Sequence, residues 1–305
     1  GFTTSFEAEN STKNSPATTV SDAGASGGSA LKFQAGGSGS CTLPAYPDAT
    51  CTGVPAGTSL TTLSGDQIIT TDGAVIDSKN INGCVEINAN NVTIKNTKIN
   101  CRADISVGNF NGGVYIDPGK TGFIIQDSEL DCSNGLGSTA LGPSNYTALR
   151  INIDGCENGA WAENNVTIRD SYIHDIIPYD PTTDPHTDGI QLPENPPGAL
   201  NVTIDHNRIY GNYVNSTSFG SSALQTKGGA NIHITNNLLA GGGDSLRCQG
   251  AAGSTNFVVT GNRFSTIFVS TVGGFGPTDG FCKTTATTYS DNVYYDGPNT
   301  GNAVE

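Results

Sequence analysis

The sequence has no methionine, a single tryptophan and only 14 lysines and arginines among 305 residues. It contains no run of 18 apolar residues, so no helical membrane span is expected. No Cys-x-x-Cys pair occurs, which removes the spacing signal of zinc and thioredoxin-like sites. Acidic residues number 28 and the net charge is −14. That balance excludes nucleic acid as a partner, because phosphate binding needs clustered cations. A basic, apolar N-terminal segment is also missing, so the chain reads as a mature, secreted form whose signal peptide has been removed. No segment keeps helical 3.6-residue periodicity for more than a turn or two, which disfavours an α/β fold.

What the sequence does have is glycine, asparagine, serine and threonine. Glycine alone accounts for 40 residues, so turns are frequent. Cysteines stand at 41, 51, 84, 101, 132, 156, 248 and 282. An even count without metal spacing predicts four disulfides and an oxidising compartment. Neighbours are expected to pair in order: Cys41–Cys51, Cys84–Cys101, Cys132–Cys156 and Cys248–Cys282.

One pattern recurs along the chain. An apolar residue, any residue and a second apolar residue are followed, after four intervening residues, by another apolar one. It reads Asn91-Val-Thr-Ile-Lys-Asn-Thr-Lys-Ile99, then returns in copies ending at Leu130, Ile173, Ile209, Leu239 and Phe264. Weaker copies end at Ile81, Ile153 and Tyr294, and successive ends differ by 18 to 36 residues. Such a repeat with period-2 alternation is the mark of a solenoid, in which each coil buries its apolar face only by stacking on the next. The expected fold is all-β, a single-stranded right-handed parallel β-helix over residues 41–305. The uneven but persistent repeat disfavours the rival β-sandwich. Residues 1–40 resemble the opening of a carbohydrate-binding module but are too few for a sandwich, so they are expected to cap the solenoid.

A second strand is legible between copies. If these strands align, one outward column reads Glu86, Tyr115, Trp161, Gln191, Gln225, Arg247. The next outward column reads Asn88, Asp117, Glu163, Pro193, Lys227, Gln249. Rungs about 4.8 Å apart would let these columns follow an extended polymer, with Trp161, Tyr115, Gln191 and Gln225 as substrate contacts. A solvated polar face is the plainer alternative. Long excursions are expected at 132–145, 175–187, 193–200, 210–221 and 265–285, and loops on a rigid scaffold carry function.

The segments Cys156-Glu-Asn-Gly159, His186-Thr-Asp-Gly-Ile-Gln191, Asn236-Asn-Leu-Leu-Ala-Gly-Gly242 and Val272-Gly-Gly-Phe-Gly-Pro277 resemble secreted bacterial right-handed β-helix proteins, whose wider group includes pectate and alginate lyases and mannuronan epimerases. The resemblance covers about residues 45–297. It implies an extracellular enzyme, expected to be monomeric, that acts on a uronate-containing polysaccharide such as alginate. The Asn-Thr-Asp, Asp-Asp, Gly-His-Gly and Arg-Ile-Lys segments of pectin hydrolases with this fold are absent, as is the Arg-x-Pro of calcium-dependent pectate lyases.

The chemistry that remains is β-elimination by cations with Tyr or His. A cation offsets the uronate carboxylate, a base removes the C5 proton and an acid protonates the leaving oxygen. Lys227 or His186 is the candidate base, Arg247 or Arg150 the neutralising cation and Tyr179 the acid. Each also has a plainer reading: His186 bonding within its loop, Lys227 solvated, Arg150 bridging coils. Asp188 either fixes His186 or binds metal, and His174 beside Asp175 is a spare acid–base pair. No cofactor or metal is required by these residues, with calcium left open. The other classes kept in view are a glycoside hydrolase using carboxylates such as Asp188 and Glu163, and a non-catalytic carbohydrate-binding surface protein.

Overall fold

The computed structural model describes residues 17–21, 29–33, 41–101, 105–107, 110–132, 139–178, 186–193, 198–212 and 222–305. Three sheets of parallel strands run along one axis, and the chain visits them in turn. This is the right-handed parallel β-helix expected from the repeat. The first sheet runs from Gln67–Ile69 through Val85–Ile87, Phe110–Ile116, Thr139–Gly142, Asn158–Trp161, Asp188–Gln191, Ser222–Gln225 and Asp244–Arg247 to Gly276–Thr278. The second holds nine strands from Val75–Asp77 to Thr288–Ser290, the third ten strands from Thr61–Ser64 to Val293–Tyr294.

The repeat is thus two strands and a corner. Val92 and Ile94 point inward from the second sheet, the chain turns at Asn96, and Ile99 points inward from the third. That corner is made by one left-handed residue per coil, among them Asn96, Asp127, Arg150, Asp170, His206 and Asn236, all with φ between 49° and 56°. The corner from the first to the second sheet uses Asn91, Asn145, Asn165, Asn201, Asn231 and Asn256 in the same way, with φ between 49° and 61°. Asparagine tolerates this region, and its side-chain amide bonds the coil below. Asn165, Asn201, Asn231 and Asn256 each donate from Nδ2 to the Oδ1 of the preceding member at 2.7–3.0 Å.

Within the core, side chains of like shape stack: Ile94, Ile125, Ala148, Ile168, Ile204, Ile234 and Val259 form one buried column. A second, polar column lies inside as well. Asn207, Asn237, Asn262 and Asn292 are nearly inaccessible, each Nδ2 reaching a core carbonyl and, for the first three, the next Oδ1 at 3.0 Å. All four disulfides form with the expected partners, which favours an oxidising compartment.

Two expectations on the path of the chain need correction. The excursion read at 132–145 contains a full rung, Thr139–Gly142, which lies between Tyr115 and Trp161. It was hidden because Gly142 takes the outward position, where a Cβ would sit 2.9 Å from the Cβ of Trp161, and Pro143 takes the second inward position, so the segment reads as a turn. The N-terminal segment was expected to cap the axis. Residues 1–40 are described only as the antiparallel backbone pair Ala17–Ser21 and Ser29–Phe33, so capping lies outside the described residues. The segment that follows, from Cys41, lies along the flank of the solenoid. Gly53 N–H donates to the Arg150 carbonyl at 3.0 Å, and Arg208 donates to the Tyr46 carbonyl at 3.2 Å.

This strap is held by a titratable contact. His206 Nδ1 lies 2.6 Å from Asp170 Oδ1, and Nε2 lies 2.9 Å from the Ala45 carbonyl. Both partners are acceptors, so only the imidazolium satisfies them together. The Asp170 hydrogen bond raises the His206 pKa against the opposing effect of burial, with the Ala45 carbonyl and Asp205 adding to it. The same bond, chiefly, lowers Asp170, helped by Arg169 and Arg150. A raised histidine stabilises the fold below its unfolded value, and that contribution is lost as pH rises through the folded value. A lowered aspartate stabilises above its unfolded value and loses this as pH falls through the folded one. Strap stability therefore peaks between the ordinary aspartate and histidine ranges. Thermal melts should show stability falling as pH rises through the raised His206 value, and His206→Ala should flatten that fall; an unchanged slope would refute the assignment.

Candidate functional site

The register of the first sheet sets its outer face. Tyr115 pairs with Glu86 and with Gly142, Trp161 with Gln191, Gln191 with Gln225, and Gln225 with Arg247. The expected column is therefore present, with Gly142 added. Inward neighbours Val114, Ala160, Ile190, Leu224 and Leu246 are fully buried, which fixes the outward sense of the column between them. Two residues on, the companion column becomes Asn88, Asp117, Ser144, Glu163, Pro193, Lys227 and Gln249. All but Gln249 are half-buried, and Gln249 is exposed.

The columns differ in charge along the axis. At the C-terminal end, Lys227 and Arg247 come from adjacent rungs. Arg247 Nη2 donates to Gln249 Oε1 at 2.7 Å, and the Lys227 stem packs where a Gly250 Cβ would be, 3.4 Å from Cδ. Nearby, burial pushes the Asp244 carboxyl up to about 6, with Asp279 adding to the rise and Arg247 opposing it.

The N-terminal end is acidic. Glu86 is only 9% exposed, and burial raises its pKa, followed by its hydrogen bond to Asp117 and that group's charge. Burial also raises Tyr115, with Asp117, Glu86 and Glu163 contributing in that order. Glu163 accepts a hydrogen bond from the Ser144 hydroxyl at 3.2 Å. The acidic pair across two rungs went unread as a pair because its members lie 31 residues apart in the chain.

The structure brings together Lys227, Arg247, Gln225, Gln191 and Trp161, but not every candidate. Tyr115 lies two rungs from Trp161, with Gly142 between, so the two rings do not form a continuous platform as expected. Tyr115 is 6% exposed and Gln225 3%, so Trp161 and Gln191 carry most of the accessible surface. His186 is exposed but stands five residues before Gln191, whereas Lys227 stands two residues after Gln225. Seven residues of chain therefore separate the two positions along the sheet, Asp188–Gln191 of them strand, so His186 stands where the chain enters the sheet and Lys227 where it leaves.

Arg150 occupies the corner between the second and third sheets. There its guanidinium makes a bidentate pair with Asp127, at 2.6 and 2.8 Å, and bridges coils. Asp188 is fully buried, its Oδ1 accepting from the Ser222 N–H at 2.8 Å, which makes it a clamp between rungs. His174 lies on the third sheet, bonded to Asp175 and Asn152 and stacked on Tyr172. Tyr179 lies outside the described residues. Among the described residues, one group has metal-ligand types within reach of each other: Cys41, Asp48 and Cys51, whose thiols form a disulfide.

Compared with family models, curated proteins and solved structures, the chain matches none.

The single tryptophan offers a direct test of the outer face. Trp161→Ala should weaken polysaccharide binding by about tenfold, the scale of one stacking contact, and leave the melting temperature within a few degrees. A large loss of stability would place the indole in the core.

Proposed function

We propose that this protein is a secreted polysaccharide lyase that cleaves a uronate-containing polymer laid along the outer face of the first sheet. The observation that carries this reading is the register that places Lys227 and Arg247 on adjacent rungs beside Gln225 and Gln249, in line with Trp161. In a protein of net charge −14 these paired cations form a local site for a carboxylate.

In this mechanism Arg247 offsets the uronate carboxylate, and the C5 proton becomes more acidic as negative charge develops there. Lys227 is the proposed base for that proton. The electron pair forms the C4–C5 double bond, the C4–O bond breaks, and the departing oxygen receives a proton. Tyr179 is the proposed donor of that proton.

Hydrolysis is less well supported. Asp188 is buried and engaged, and Glu86 and Asp117 are in hydrogen-bonding contact. That is closer than the roughly 5–9.5 Å that separates hydrolase carboxylates.

The experiment is a screen of uronate polymers that follows ultraviolet absorbance and reducing ends together. Elimination raises both in step. Reducing ends without unsaturated product would identify a hydrolase, and binding without either would identify a carbohydrate-binding protein.

A further inference from the structure

The accessible companion column carries charge on alternate rungs: Asp117, then Glu163, then Lys227, with Ser144 and Pro193 between them. Glu163 and Lys227 are two rungs apart, roughly 10 Å, and Asp117 lies the same distance beyond Glu163. Arg247 adds positive charge one rung past Lys227. Among the described residues of these two columns, the face is therefore positive at one end, and its other accessible charges are negative.

We propose that the substrate is a sparsely charged heteropolysaccharide, in which the uronate held at Lys227 and Arg247 is followed, towards Trp161, Glu163 and Asp117, by neutral sugars. This rests on the lyase reading for what happens at the uronate, but the preference itself concerns binding. A homopolyuronate filling the groove would set carboxylates against Glu163 and Asp117, and like charges brought together across an interface cost affinity steeply. Neutral pyranoses meet no such penalty. Their hydroxyls donate to Glu163 and Asp117, and an apolar ring face packs on the half-buried indole of Trp161. Glu163 already holds the Ser144 hydroxyl at 3.2 Å, a neutral partner of the same kind.

The test compares two polymers at low salt with a chelator present: polymannuronate, and deacylated gellan, which has one glucuronate in each tetrasaccharide repeat. Wild type should bind gellan at least roughly tenfold more tightly. The E163Q/D117N double variant should gain about tenfold for polymannuronate, so that its preference for gellan collapses, with each single variant intermediate. Equal wild-type affinity for the two polymers would overturn the proposal, as would a double variant with unchanged preference. Polymannuronate binding restored by calcium through intact Glu163 and Asp117 would also overturn it, since the carboxylates would then bridge a cation. Gellan preference without unsaturated product would instead refute the lyase reading and leave this one standing.

Discussion

Lys227→Ala should lower the rate of unsaturated-product formation by at least roughly 10²-fold, the usual consequence of removing a general base. Lys227 is half-buried on the outer face, with its stem beside Gly250, so the melting temperature should move by only a few degrees. Arg247→Ala should reduce turnover on a similar scale with a weaker grip on the polymer, because it removes the charge that offsets the carboxylate and releases Gln249. His186→Ala is the contrasting control. At the opposite edge of the sheet it should leave turnover close to wild type. A full loss with His186→Ala and none with Lys227→Ala would move the site to the other edge.

The second large effect is on stability. Asn237→Ala should cost about 3 kcal/mol or more, because three buried groups lose partners and each unsatisfied group costs roughly 1–3 kcal/mol. The Asn207 N–H and Asn207 Nδ2 both bond Asn237 Oδ1 at 3.0 Å, and the Ile204 carbonyl accepts from Asn237 Nδ2 at 2.9 Å. None of them has access to water as a substitute. Asn231→Gly in the outer asparagine row, which keeps the left-handed conformation without a Cβ, should cost about 1 kcal/mol or less, since its partners are exposed. Denaturant unfolding of the two variants measures the contrast, and equal costs would mean that the inner column is not continuous.

Much of this molecule is legible in its sequence, for a specific reason. In a β-helix, neighbours along the axis are repeats of one local pattern, so inward and outward positions follow from period-2 alternation within a few residues. Val92, Ile94 and Ile99 announce both strands of a coil and the corner between them. The same logic aligned Trp161 with Gln191, Gln225 and Arg247, and pairing the cysteines in sequence order gave all four disulfides. It failed at Thr139–Gly142, where packing against Trp161 demands a residue with no side chain and Pro143 follows it, so the pair reads as a turn. It also failed for His186 and Lys227. A loop that leads into a strand is close to it in sequence, yet the strand's length separates its two ends.

By itself, then, the sequence determined the solenoid, the disulfides and the identity of the outward columns, because these depend on local alternation and nearest neighbours in the stack. Only the tertiary structure decided which candidates share a place. It put Arg150 against Asp127, buried Asp188 between rungs, laid the segment around Ala45 on His206 and joined Glu86 to Asp117. Each of these contacts depends on how many residues separate two coils and on which corner a side chain leaves. The repeat leaves both free, because its loops vary in length without disturbing the stack.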